Sequence, residues 1–148
     1  MANQQKNTGD KRRKYRLLLK GEVVKELSGF LDTLIAVGIL KYAEAKADFG
    51  MDYVTIRNVQ QKEDAASAAT LDKLVWIVAY YIEVYRRKVE AGPESLEKKQ
   101  KLHDILDLEK DFERIFGCKA LYVLNLAKDG IDLRQIGGCN LNCVKACS

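Results

Sequence analysis

The stretch LDKLVWIVAYYIEVYRRKVE, residues 71–90, decides the fold. Leu71, Leu74, Val75, Val78, Ile82, Tyr85 and Val89 recur at helical spacing and make one wide apolar face. Trp76, Ile77, Tyr80 and Val84 cover much of the opposite side. A helix apolar nearly all round belongs at the centre of a fold, not on its surface. It does not read as a membrane span, because Asp72, Lys73, Glu83, Arg86, Arg87 and Lys88 interrupt it. Thr70 reads as its N-cap, and Gly92-Pro93 ends it.

Working outward, the pattern stays helical on both sides. Val23, Leu27, Phe30, Leu31 and Leu34 share one face of a helix that begins near Tyr15 and is interrupted at Gly38. Residues 40–48 are alanine-rich and read as a further helix that stops near Gly50. Residues 51–59, MDYVTIRNV, are rich in β-branched and aromatic side chains and read as a short strand or an extended connector. Residues 60–69 read as a loop or weak helix. On the far side, residues 94–116 form a helix with Leu102, Ile105, Leu106, Phe112, Ile115 and Phe116 as its apolar stripe, ended by Gly117. Residues 120–126, ALYVLNL, fit a strand or a helix, and Asp129-Gly130 marks a turn.

The predicted architecture is mainly α, a compact bundle of three or four helices around residues 71–90, with at most a small β element. Its organisation reads as a flexible basic arm (1–13), a helical domain (14–136), and a Gly-Gly hinge with a cysteine-rich tail (137–148). A length of 148 residues, 47% hydrophobic and 31% charged, suits one soluble globular domain.

Chemistry is sparse in the body. The one histidine, His103, excludes two-histidine catalysis and histidine-rich metal sites. Asp48-Phe49-Gly50 matches the kinase metal-binding triplet, but no glycine-rich or catalytic-loop motif accompanies it. No carboxylate pair or nucleophile–base set stands out, so the chain does not read as an enzyme. Tyr80, Tyr81, Tyr85 and Trp76 could stack bases, although their helical spacing fits a core better. The net charge of +4 is concentrated at the front, where Lys11, Arg12, Arg13, Lys14 and Arg16 could contact nucleic acid through its phosphates. The plainer reading is a solvated tail. There is no secretory signal, and a cytoplasmic location is expected, where thiols stay mostly reduced.

The tail is different. Cys139, Cys143 and Cys147 form a C-x3-C-x3-C array, and Cys118 is a fourth cysteine. Together they could bind zinc or an iron–sulfur cluster, although the C-x2-C knuckle common in structural zinc sites is absent. GGCNLNC also approaches the cluster loop of radical S-adenosylmethionine enzymes, but its second gap is three residues, not two.

A third resemblance fits the position better. Asp132-Leu133-Arg134-Gln135-Ile136-Gly137-Gly138, followed by CNLNCVKACS, resembles double-glycine precursors of ribosomally made, post-translationally modified peptides. In this chain Ile136 directly abuts Gly137. The resemblance implies a cut after Gly138, a leader of residues 1–138 long enough to be a folded docking domain, and a core of residues 139–148. It implies a modifying enzyme and a leader peptidase as partners, with Cys139, Cys143 and Cys147 as the modified nucleophiles. Ser148 is the core's one hydroxyl residue, so thioethers to α-carbons or oxidative cysteine chemistry fit better than dehydration-based rings. An assembly subunit with a redox-sensitive tail, able to form oligomers, is the remaining alternative.

Overall fold

The computed structural model describes residues 22–61 and 67–136. Among them the regular structure is helical throughout, in seven helices. These are α1 (Glu22–Val37), α2 (Tyr42–Phe49), α3 (Tyr53–Gln61), α4 (Ala68–Ala91), α5 (Leu96–Phe116), α6 (Cys118–Lys128) and α7 (Leu133–Ile136). The chain is mainly α, as its apolar periodicity predicts. It has more helices than three or four because short elements flank the long ones. No described helix is long and apolar enough to cross a membrane. The basic arm, the start of the first helix, residues 62–66 and residues 137–148 lie outside the described residues.

The helices fall into two compact units, one ending at Leu74 and the other beginning at Val75, so the division lies inside α4. In the first unit α3 packs against both α1 and α2. Leu27, Phe30, Leu31 and Leu34 of α1 are buried, with Ala45 and Phe49 of α2 and Ile56 and Val59 of α3. Residues 53–61 are helical, which corrects the strand or connector reading. Ile56 and Val59 are the buried pair on α3, a separation that shares a face on a helix but not on a strand. Gly50 ends α2 in the left-handed region (φ 71°, ψ 19°), where a residue without Cβ is favoured.

One side chain links all three helices of this unit. The Gln60 amide nitrogen donates to Asp32 on α1 at 2.6 Å. Its amide oxygen accepts from the Tyr42 hydroxyl on α2 at 2.8 Å. The Ser28 hydroxyl donates to the Gln60 backbone carbonyl.

Helix α4 begins three residues earlier than its apolar run implies. Ser67, not Thr70, accepts from the Thr70 backbone N–H at 3.2 Å, and Ala68 and Ala69 extend the helix at little conformational cost. Residues 74–79 are buried in an unbroken run, as expected of a helix apolar on every side.

In the second unit, α5 starts at its N-cap Ser95, whose hydroxyl accepts from Lys98 N–H at 3.0 Å. Pro93 therefore precedes the cap. Gly117 joins α5 to α6 at φ 71°, ψ −147°, a region nearly closed to residues with a Cβ. The turn lets α5 and α6 pack together. Ala120, Val123, Leu124 and Ala127 of α6 are buried, so residues 120–126 form a helix rather than a strand. Leu106, assigned to the apolar stripe of α5, is 54% exposed, while Glu109 is buried on that helix. Lys128 lies 2.9 Å from the Glu109 carboxylate, and Arg87 donates to the Ala127 carbonyl at 3.1 Å. Both contacts place cations at the C-terminal end of α6, where its macrodipole favours positive charge.

Candidate functional site

Two places in the second unit bear on the tail: the segment leading to Gly137, and Cys118. The segment is anchored. Asp132 accepts from the Arg134 backbone N–H at 3.0 Å, and the Arg134 guanidinium grips the same carboxylate through Nε at 3.0 Å and Nη2 at 2.9 Å. These bonds hold the Asp132 carboxyl below its ordinary range. Leu133 is fully buried. The Arg134 guanidinium also lies over the Tyr80 ring, 5.3 Å from its centroid. Asp132 and Leu133 of the double-glycine string are thus engaged within the fold: the carboxylate is paired and the leucine is core. A buried leucine cannot contact a partner until it leaves that core.

Cys118 is the first residue of α6. It is exposed and disulfide-bonded. This differs from the expected reduced state. Zinc and iron–sulfur sites bind thiolate, and a disulfide sulfur is not one, so in this state Cys118 does not serve as the fourth ligand. The other candidate ligands, Cys139, Cys143 and Cys147, lie outside the described residues, as do Gly137 and Gly138. Among the described residues no group of three His, Cys, Asp or Glu side chains could hold a metal. The candidate nucleic-acid residues Lys11, Arg12, Arg13, Lys14 and Arg16 are also outside them. Beside Cys118, half-buried Lys119 has its ammonium pKa pushed down to about 8 by burial.

The remaining candidates read as structural. His103 is exposed, with Nε2 3.7 Å from Asp107. Trp76 and Tyr81 are buried, which removes two of the four aromatics from any stacking surface. A cleft of about 340 Å³ opens where α4 turns into α5, between Tyr85, Val89 and Pro93 and the lysines 88, 98 and 101. Lys98 there donates to the Glu90 and Gly92 carbonyls at 2.9 and 3.1 Å and to Glu94 at 2.6 Å. Lys101 pairs with Glu97 at 3.2 Å. Lys98 closes the interhelical turn, while Lys101 pairs within α5.

Two buried carboxylates were not singled out by sequence reasoning. Glu83 is 5% exposed and held by Arg86, with Arg87 at 3.5 Å. Glu109 is the other. For Glu83 the signal is visible in sequence: an acid in a strongly apolar helix with arginines three and four residues on.

The chain matches no known protein family, no curated protein and no solved structure.

Proposed function

We propose that this protein is the precursor of a modified peptide. Residues 1–138 are the leader, docking through its helical part onto a modifying enzyme and a leader peptidase, and residues 139–148 are the core. The observation that carries this reading is Gly137-Gly138 followed at once by the array Cys139, Cys143, Cys147. Two residues without side-chain bulk fit a narrow protease subsite. Three regularly spaced thiols supply nucleophiles for thioether or oxidative cysteine chemistry.

The anchoring of residues 132–134 adds a step. A peptidase that reads Leu133 directly requires this segment to leave the core first. Helix α7 has only four residues, and so short an element belongs to the low-stability end of a fold, where local opening precedes global unfolding. Cutting therefore follows local release of α7. Coexpression with the enzymes encoded beside it, followed by intact-mass measurement, tests the reading. It predicts a mass change within 139–148 and a cut after Gly138. An unaltered chain in the presence of those enzymes rejects it.

The disulfide at Cys118 favours a second reading, an assembly subunit whose tail responds to redox state. Size measurements with and without reductant distinguish it: a change in oligomeric state supports the subunit, and an unchanged one rejects it.

A further inference from the structure

The cleft of about 340 Å³ where α4 turns into α5 lies wholly within the second unit. Its apolar lining is Tyr85, Val89 and Pro93, and its cations are Lys88, Lys98 and Lys101. Closing the turn does not use all of these groups. We propose that the cleft binds a small monocarboxylate with an apolar body, held through Lys88, Lys101 and the Tyr85 hydroxyl. This site is independent of the precursor reading.

The three lysines are not equivalent. The Lys98 side chain is only 11% exposed, and its ammonium donates to the Glu90 and Gly92 carbonyls and to Glu94. Its charge is committed to the negative end of the α4 macrodipole. Lys101 faces Glu97 at 3.2 Å, and both side chains are well exposed. Such a pair is worth little in water, so an incoming carboxylate displaces Glu97 at slight cost. Lys88 is exposed and has no hydrogen bond or ion pair among the described residues. The half-buried Tyr85 hydroxyl has none among them either. A phenol donates well to an ionised acceptor, because a hydrogen bond to a charged group is stronger than a neutral one. Ser95 and Glu97 bring the first turn of α5 to the cleft, and the amides of that turn favour negative charge.

The lining selects the class of ligand. Acetate or inorganic phosphate gains nothing from Tyr85, Val89 and Pro93, whereas an acid with an apolar body buries that body against them. Nucleic acid fits less well. The nearby cations Arg86 and Lys98 are already held by Glu83, Glu90 and Glu94, so no further free cations line up for a run of phosphates. One negative charge beside one apolar group is what the cleft complements.

The test is a titration of the full-length, nitrogen-15-labelled chain with N-acetyl-phenylalanine, read from backbone amide shifts. The expected result is saturable shifts at Lys88, Val89, Gly92 and Leu96, with a dissociation constant on the order of 1 mM for so small a ligand. N-acetyl-phenylalaninamide, which lacks the charge, should bind about tenfold more weakly, and so should the acid to Lys88→Gln. Lys88→Arg should keep the affinity, and Tyr85→Phe should lose about threefold. Lys88 is exposed, so an unchanged thermal melt of Lys88→Gln shows that the fold is intact. Absence of shifts at these amides overturns the inference. So does equal affinity for the acid and the amide, which signals apolar adhesion alone, or equal affinity for acetate, which signals charge alone. Tighter binding of a ten-nucleotide thymidine strand at the same amides overturns it in favour of a polyanion. The titration uses no processing enzyme, so its failure leaves the precursor reading untouched.

Discussion

The Arg134 guanidinium lies 5.3 Å from the centroid of the Tyr80 ring, so the last turn before Gly137 is held against α4. Its neighbour Leu133 is fully buried. Together they make the approach to the proposed cleavage point part of the fold. Leu133→Ala should cost about 2–5 kcal/mol, the range for truncating a buried leucine. Tyr80→Leu should cost about 0.5–1 kcal/mol, the value of a partly exposed cation–π contact. Denaturant titration checks both. Hydrogen exchange should rise first over residues 131–136, and cutting after Gly138 should quicken in the same order.

In the first unit, Gln60 should matter more than its polarity suggests. Its amide reaches Asp32 and Tyr42 at once. Gln60→Leu leaves both partners to water and should cost about 1–2 kcal/mol, and Tyr42→Phe should cost about half of that. Denaturation of the single and double variants checks this. The double variant should lose less than the sum of the singles, because the two changes remove the same bond.

Gly29 and Gly117 should respond oppositely to alanine. Neither has any atom within 4 Å of an added Cβ, so packing does not separate them. Gly29 lies inside α1, where alanine should stabilise by about 0.5–1 kcal/mol. Gly117 has φ 71° and ψ −147°, and alanine there should destabilise by about 1–3 kcal/mol. Thermal melts of the two variants distinguish them by the sign of the shift.

Lys119 gives the fold a pH dependence. Burial lowers its pKa in the folded chain to about 8 from an unfolded 10.5. Between these values the unfolded chain binds more protons, so stability rises with pH across this window. Below about 8 both states are charged, and the folded state carries the full desolvation cost. Partial exposure reduces the effect through solvent screening. Lys119→Gln should flatten the rise, as read by denaturant midpoints between pH 7.5 and 10.5.

Much of the fold was legible in the sequence because apolar side chains recur at helical spacing. Leu27, Phe30, Leu31 and Leu34 are buried as a face, and residues 74–79 are buried all round. The glycine breaks at Gly38, Gly50 and Gly117 also fall where the sequence places them. Residues 51–59 misled because Val54, Thr55, Ile56 and Val59 favour strands intrinsically, a weak preference that packing overrides. Here Ile56 and Val59 are buried on one helical face, and Tyr53 meets Tyr42 edge-on at 4.7 Å. Thr70 and Ser67 are both competent caps, and only the backbone decides between them. Glu109 was missed because its partner Lys128 is remote in sequence. The burial of Leu133 was not legible either: it stands alone among Asp132, Arg134 and Gln135 with no helical periodicity to mark it, while the fold uses it as core.

The central claim is that residues 139–148 are a product segment released after Gly138. It is tested most directly by the intact mass of the full chain coexpressed with the enzymes encoded beside it, measured before and after reduction. The account predicts residues 1–138 and a ten-residue fragment that carries the mass change. A chain of unaltered mass, uncut after Gly138 in the presence of those enzymes, would contradict it.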